Sequence, residues 1–191
     1  MNEDSRQLIH AAVGTLILVL AVIVGERAIV NILVFILVIG VCLIHLRMRG
    51  TKLLLVEKIL SEFERKKDLR KMPGKGAFYF LVGTLFAFTF YHDFNYALAV
   101  IGVLSWGDSA STIVGRRFSK RGEKTWQGTL AFILFSLVPA VYFLGVSGVL
   151  LAVLLGLYEA LPLHIDDNLG IPILGEVLRH LGVLKAFVGL R

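Results

Sequence analysis

The stretch YALAVIGVLSWGDSASTIVGRRF, residues 96–118, decides how this chain is read. Its first ten residues carry no charge, and Asp108 then appears eight positions before the first cation, Arg116. An uncompensated carboxylate at the end of a membrane-embedded run costs roughly 2.5–3.5 kcal/mol by insertion measurements. Such a residue marks either a functional site or a carboxylate paired with the following arginines purely for folding.

Working outward, the same apolar character recurs along the chain. Of 191 residues 57% are hydrophobic and mean hydropathy is +0.79, while the charges gather in a few loops. That pattern predicts an all-α, polytopic integral membrane helix bundle forming a single membrane domain over 1–191. Against the roughly 20 residues needed to cross a bilayer, the apolar runs are 8–25, 29–46, 77–91, 96–105 continuing through Asp108, 129–144 and 149–163. A seventh, 171–190, is interrupted by Glu176, Arg179, His180 and Lys185, giving about six or seven spans. The N-terminal flank carries Glu3, Asp4 and Arg6, and no small-x-small cleavage site follows 16–24, so a first membrane anchor is expected rather than a cleaved signal peptide.

Residues 51–71 read differently. Leu53, Val56, Ile59/Leu60 and Phe63 recur at helical spacing opposite Glu57, Lys58, Glu62 and Lys66, which predicts an amphipathic helix, in-plane or packed on the bundle. Pro73-Gly74 ends it. Nine Lys/Arg lie in 48–75 and five in 116–124, and these basic loops mark a cytoplasmic side. Alternation then places the N-terminus with Arg6 and His10, the 116–124 loop and the 164–170 turn on that face. The basic charge suits anionic lipid or phosphate. Without aromatic–basic interleaving, no nucleic-acid partner is expected, and no obligate protein partner is evident. Cys42 is the single cysteine, so neither an intramolecular disulfide nor a cysteine metal cluster is possible.

Three segments on the expected cytoplasmic face carry chemistry. If 107–115 is helical, Asp108, Ser111/Thr112 and Gly115 share a face. Asp108 offers a hard oxygen ligand for magnesium, Ser109 and Ser111 offer donors to phosphate, and Gly115 permits close approach. Lys120-Arg121-Gly122-Glu123-Lys124-Thr125-Trp126-Gln127-Gly128 reads as a phosphate cradle, or as an ordinary topology-setting loop, and it lacks P-loop spacing. Glu159, Asp166 and Asp167 fall within nine residues without a Lys or Arg among them. Such acids repel unless a cation intervenes, and magnesium shared with a triphosphate would supply one. The alternative is an acidic turn in which Asp167-Asn168 starts a helix. Arg6 and His10, four apart, share a helix face and can reach phosphate or an acceptor hydroxyl.

Taken in order, these pieces resemble the CTP-dependent lipid-alcohol kinases: dolichol kinase, phytol kinase and the CTP-using diacylglycerol kinases. The resemblance rests on Gly107, Asp108, Ser111 and Gly115, then Lys124-Thr125 and Gly128, then Glu159-Ala160 and Asp167-Asn168, with Arg6 and His10 similar to an N-terminal Arg-Lys-x-x-x-His element. Gln127 stands where that family has Glu, and Ser119 where it has a second Gly. Lys-Thr-Trp-Gln-Gly also resembles a motif of phosphatidate cytidylyltransferases.

The resemblance implies γ-phosphoryl transfer from CTP to a long-chain lipid alcohol, with magnesium on Asp108, Glu159 and Asp167. Lys124, Thr125, Arg116, Arg117 and Lys120 would bind nucleotide, with Ser109, Ser111, Gly115, Gln127, Gly128, Asn168, Arg6 and His10 completing its site. Asp167 or Asp166 would complete the metal site or accept the hydroxyl proton. Grooves between spans would hold the lipid tail. The alternatives are cytidylyl transfer to a phospholipid acid and a non-enzymatic ion or solute carrier.

Overall fold

The structure, a computed structural model, describes residues 3–51, 53–63, 73–119, 123–163 and 165–183. It is helical, with no strand among the described residues. Helix α1 is Glu3–Val24, α2 Glu26–Met48, α3 Leu54–Phe63 and α4 Lys75–Phe90. Helix α5 (Phe94–Gly102) passes through a π-helical segment, Val103–Gly107, directly into α6 (Asp108–Phe118). Then come α7 (Trp126–Leu144), α8 (Ser147–Glu159) and α9 (Asp167–His180). Helices satisfy every backbone group internally, as apolar surroundings demand.

Four helices are long and apolar enough to cross a membrane: α1, α2, the continuous run Phe94–Phe118, and α7. Helices α4 and α8 are apolar but shorter, at 16 and 13 residues. The expected six or seven spans thus become four of full length with two short apolar helices beside them. The expected span 149–163 stops at Glu159, because Pro162 disfavours helical backbone before it. In place of a span over 171–190, α9 begins at Asp167 and ends at His180, with Glu176 and Arg179 paired at 2.7 Å; Lys185 lies outside the described residues.

The run Phe94–Phe118 is the centre of the bundle. Its apolar window is 72% buried, against 11% for α2, which lies at the periphery. Ala97 to Ile101, Val103 and Leu104 are at most 1% exposed. Small residues at Ala97, Ala99 and Gly102 let neighbours approach from several sides. Helices α1, α7 and α8 pack around this run, and α4 joins it to α2 and α9.

Only 54–63 of the amphipathic segment is helical among the described residues; 64–71 lie outside them. Leu60 is buried and Val56 half-buried, whereas Leu54, Leu55 and Ile59 are exposed. One apolar edge therefore packs on the bundle and a second faces outward. Arg47 at the end of α2 donates to Glu57 at 2.7 Å and fixes the helix in place.

Helix α9 is docked by three contacts that set where its N-terminus lies. Pro172 has no N–H, so the Asn168 carbonyl four residues earlier lacks its helical donor. That carbonyl faces Gly83 of α4, where an added Cβ would overlap it. The Tyr91 hydroxyl donates to the Pro172 carbonyl at 2.5 Å, and the Tyr96 hydroxyl to the Gly175 carbonyl at 2.9 Å.

Gly83→Ala is expected to destabilise the protein in detergent by about 1–3 kcal/mol, the range for overpacking a close contact. Gly40→Ala on α2, with nothing within 4 Å of the new Cβ, should leave stability unchanged or slightly raised. Thermal unfolding of the two variants side by side checks this; equal midpoints would contradict it.

Candidate functional site

Five helix ends and one loop meet at one end of the bundle. Arg6 and His10 come from the start of α1, and Lys75 from the start of α4. Asp108 opens α6 directly after the π-helical segment. Lys124 precedes α7, Glu159 closes α8, and Asp166 and Asp167 begin α9. The π turn widens the helix just before Asp108, and Ser105 inside it donates to the Ile101 carbonyl at 2.7 Å. Single π turns occur mostly as local insertions at functional positions.

Lys124 is the hub of the charges. Its Nζ lies 2.5 Å from Glu159 Oε1 and 2.8 Å from Asp167 Oδ2. Glu159 is only 4% exposed and also accepts from the Ser111 hydroxyl at 3.3 Å. Burial by itself would lower the Lys124 pKa, but Asp167 and Glu159 together outweigh it and hold the ammonium above its ordinary value. Lys124 is therefore charged at neutral pH. Lys75 Nζ lies 3.9 Å from Asp166 Oδ2 and 5.3 Å from the Tyr79 ring centre. Asp108 interacts electrostatically with Asp167, Glu159, Asp166 and Lys124. His10 Nε2 stands 3.9 Å from Asp108 Oδ2, beyond hydrogen-bond reach.

Three buried polar atoms on this end have no hydrogen-bond partner: Arg6 Nε, His10 Nε2 and Asn168 Oδ1. Buried polar groups are normally satisfied, and each exception calls for an explanation. All three belong to residues that the sequence marks as candidates for nucleotide or acceptor contact.

The other candidates divide clearly. The Ser109 hydroxyl donates to the Gln7 carbonyl at 2.9 Å and ties α6 to α1. The Ser111 hydroxyl also lies 3.0 Å from the Asp108 carbonyl. Thr125 caps α7, accepting from Gly128 N at 3.1 Å, and Asp166 caps α9, accepting from Asn168 N at 3.2 Å. A Cβ on Gly128 would stand 3.3 Å from the Gly115 Cα, so these two glycines bring α6 and α7 against each other. Gln127 is half-buried in the first turn of α7. Arg116 is exposed and pairs with Asp4 at 3.3 Å, and Arg117 is also exposed, so neither joins the acidic cluster. Lys120 lies outside the described residues.

Two features were not anticipated. The acids at 159–167, expected to lack a cationic partner, receive Lys124 and Lys75 from distant parts of the chain. Asp108, Glu159 and Asp167 are gathered around an ammonium, and among the described residues no three acidic, histidine or cysteine side chains are grouped to hold an ion. Lys75 was hidden among the nine cations of 48–75; the only cue was Pro73-Gly74, which starts a new helix at that residue.

The chain is 33% identical over 186 residues to the uncharacterized protein MJ1137 of Methanocaldococcus jannaschii, and the match covers 94% of each. The chain belongs to the family of that archaeal protein. No family model matches it, and no solved structure does.

Lys124→Met should leave Glu159 buried without its cation. The expected loss is about 2–3 kcal/mol, less than the roughly 3–5 kcal/mol of a fully buried pair because the ammonium is partly solvated. Adding Glu159→Gln should recover part of that loss, as chemical unfolding of the single and double variants would reveal. Additive losses would show that the pair is not coupled.

Proposed function

We propose that this protein is a CTP-dependent lipid kinase that phosphorylates a long-chain alcohol of polyprenol or dolichol type at the cytoplasmic membrane face. The observation that carries the reading is the convergence of Asp108, Lys124, Glu159, Asp166 and Asp167 with the partnerless buried atoms of Arg6, His10 and Asn168. CTP as donor and a lipid alcohol as acceptor come from the motif resemblance; the apolar bundle beneath the cluster supports a lipid acceptor.

In this reading the alcohol oxygen attacks the γ-phosphorus as the bond to the β,γ-bridging oxygen breaks. CDP departs with that electron pair, and the hydroxyl proton passes to Asp167 or Asp166. Phosphoryl transfer of this kind needs positioning and charge neutralisation more than covalent catalysis. Lys124, held protonated by its two carboxylates, turns one N–H toward a phosphate oxygen. Arg6 Nε and Asn168 Oδ1 line the inner wall, and His10 Nε2 beside Asp108 orients the attacking hydroxyl.

Magnesium fits the donor set, since it binds through one or two carboxylates plus substrate phosphates rather than in an all-protein cage. Asp108, Glu159 and Asp167 would hold it, and when bound it neutralises charge on the triphosphate.

Purified protein with magnesium, a lipid-alcohol panel and CTP labelled at either the γ- or the α-phosphate tests the proposal. γ-Label in the lipid is expected, with CDP released. α-Label in a reaction containing phosphatidic acid would replace the kinase by a cytidylyltransferase, and label from neither would overturn both. Asp108→Asn should lower kcat by about 10²–10³-fold, as loss of a charge-stabilising group does, without shifting the unfolding midpoint downward.

A further inference from the structure

Between α1 and α7 runs an apolar groove of about 710 Å³, with Trp106 on its floor, Leu18 and Val19 on one wall, and Leu137, Val138 and Tyr142 on the other. It exists because α1 and α7 both pack on the π-helical segment far more than on each other. Its polar groups are already engaged. The Thr15 hydroxyl donates to the Ala11 carbonyl at 2.7 Å and accepts from Trp106 Nε1 at 2.9 Å. What remains facing the groove is hydrocarbon. Val19, Val138 and Tyr142 are 50%, 56% and 81% exposed, so the groove opens sideways on the surface that the apolar helices turn outward.

Its register ties it to the charged cluster. Trp106 precedes Asp108 by two residues in the same continuous helix. On α1, Thr15 and Val19 lie five and nine residues past His10, about 8 and 14 Å deeper at roughly 1.5 Å per residue. A hydroxyl between His10 and Asp108 would therefore have its chain directed down this groove.

We infer that the groove between α1 and α7 holds the hydrocarbon tail of the acceptor alcohol; this rests on the lipid-alcohol reading above. An alcohol too short to pass Thr15 misses the groove, so the site selects long single chains. Bilayer tails are as apolar as these walls, so selection comes from packing on Trp106 and not from removal of water.

The chain has two tryptophans, so Trp126→Phe leaves Trp106 as the sole fluorophore. In nanodiscs of unbrominated phospholipid, a chain-brominated long-chain alcohol should quench Trp106 saturably, and the unbrominated alcohol should reverse it. Val19→Phe, which fills the groove from its exposed rim, should abolish the saturable component and raise the KM for long-chain alcohols severalfold, leaving kcat/KM for short ones unchanged. Quenching that rises linearly with mole fraction and resists displacement would overturn the proposal. No nucleotide is needed for the quenching. Saturable quenching without phosphoryl transfer would keep the groove and reject the kinase, whereas transfer without saturable quenching would do the reverse.

Discussion

Like charges gathered at the end of an apolar bundle are the constraint on which the rest of this fold depends. Two carboxylates about 4 Å apart repel by roughly 4 kcal/mol at an effective dielectric constant near 20. Here Asp108, Glu159 and the Asp166-Asp167 pair arrive on three different helices. Without counter-ions, their repulsion would push those helix ends apart. Lys124 joins α8 to α9 through Glu159 and Asp167, and Lys75 brings α4 toward Asp166. The same ammonium groups that make the bundle end stable also make it a place where a phosphate can be recognised.

The central helix answers a second demand, because it must be both a packing core and a platform. Its outer half, α5, is nearly solvent-free and closely surrounded, whereas α6 ends in exposed Arg116, Arg117 and Phe118. The π-helical segment lies at the change between these two roles. It shifts the phase of the helix, so that Asp108 faces the other acids while Ala97 to Leu104 keep their neighbours in register.

Much of this was legible in the sequence, and the remainder was not for identifiable reasons. The helical class and the apolar runs follow from the length of hydrocarbon a helix must match. The helical face shared by Asp108 and Ser111, and the collection of acidic and basic motifs at one end, follow from periodicity and alternation. The Lys124 bridges were hidden because their partners are 35 and 43 residues away. Gly115 and Gly128 illustrate a different limit. Glycine signals that something comes close, but whether it is a phosphate or a neighbouring helix depends on packing, and here a helix fills that space. The π turn has no sequence signature of its own, and the early end of α8 was hinted at only by Pro162.

The Gly115–Gly128 contact has a bearing on how this protein can vary. It clamps α6 to α7, and the Thr125 cap fixes the start of α7, so Lys124 is positioned from its C-terminal side. Residues 119–123 only have to close the connection. Because loop-closure entropy grows slowly with length, by about 0.6 kcal/mol per doubling, insertions there can change the rim of the site while the bridging ammonium stays in place. The clamp separates a segment free to diversify from a cation that must not move.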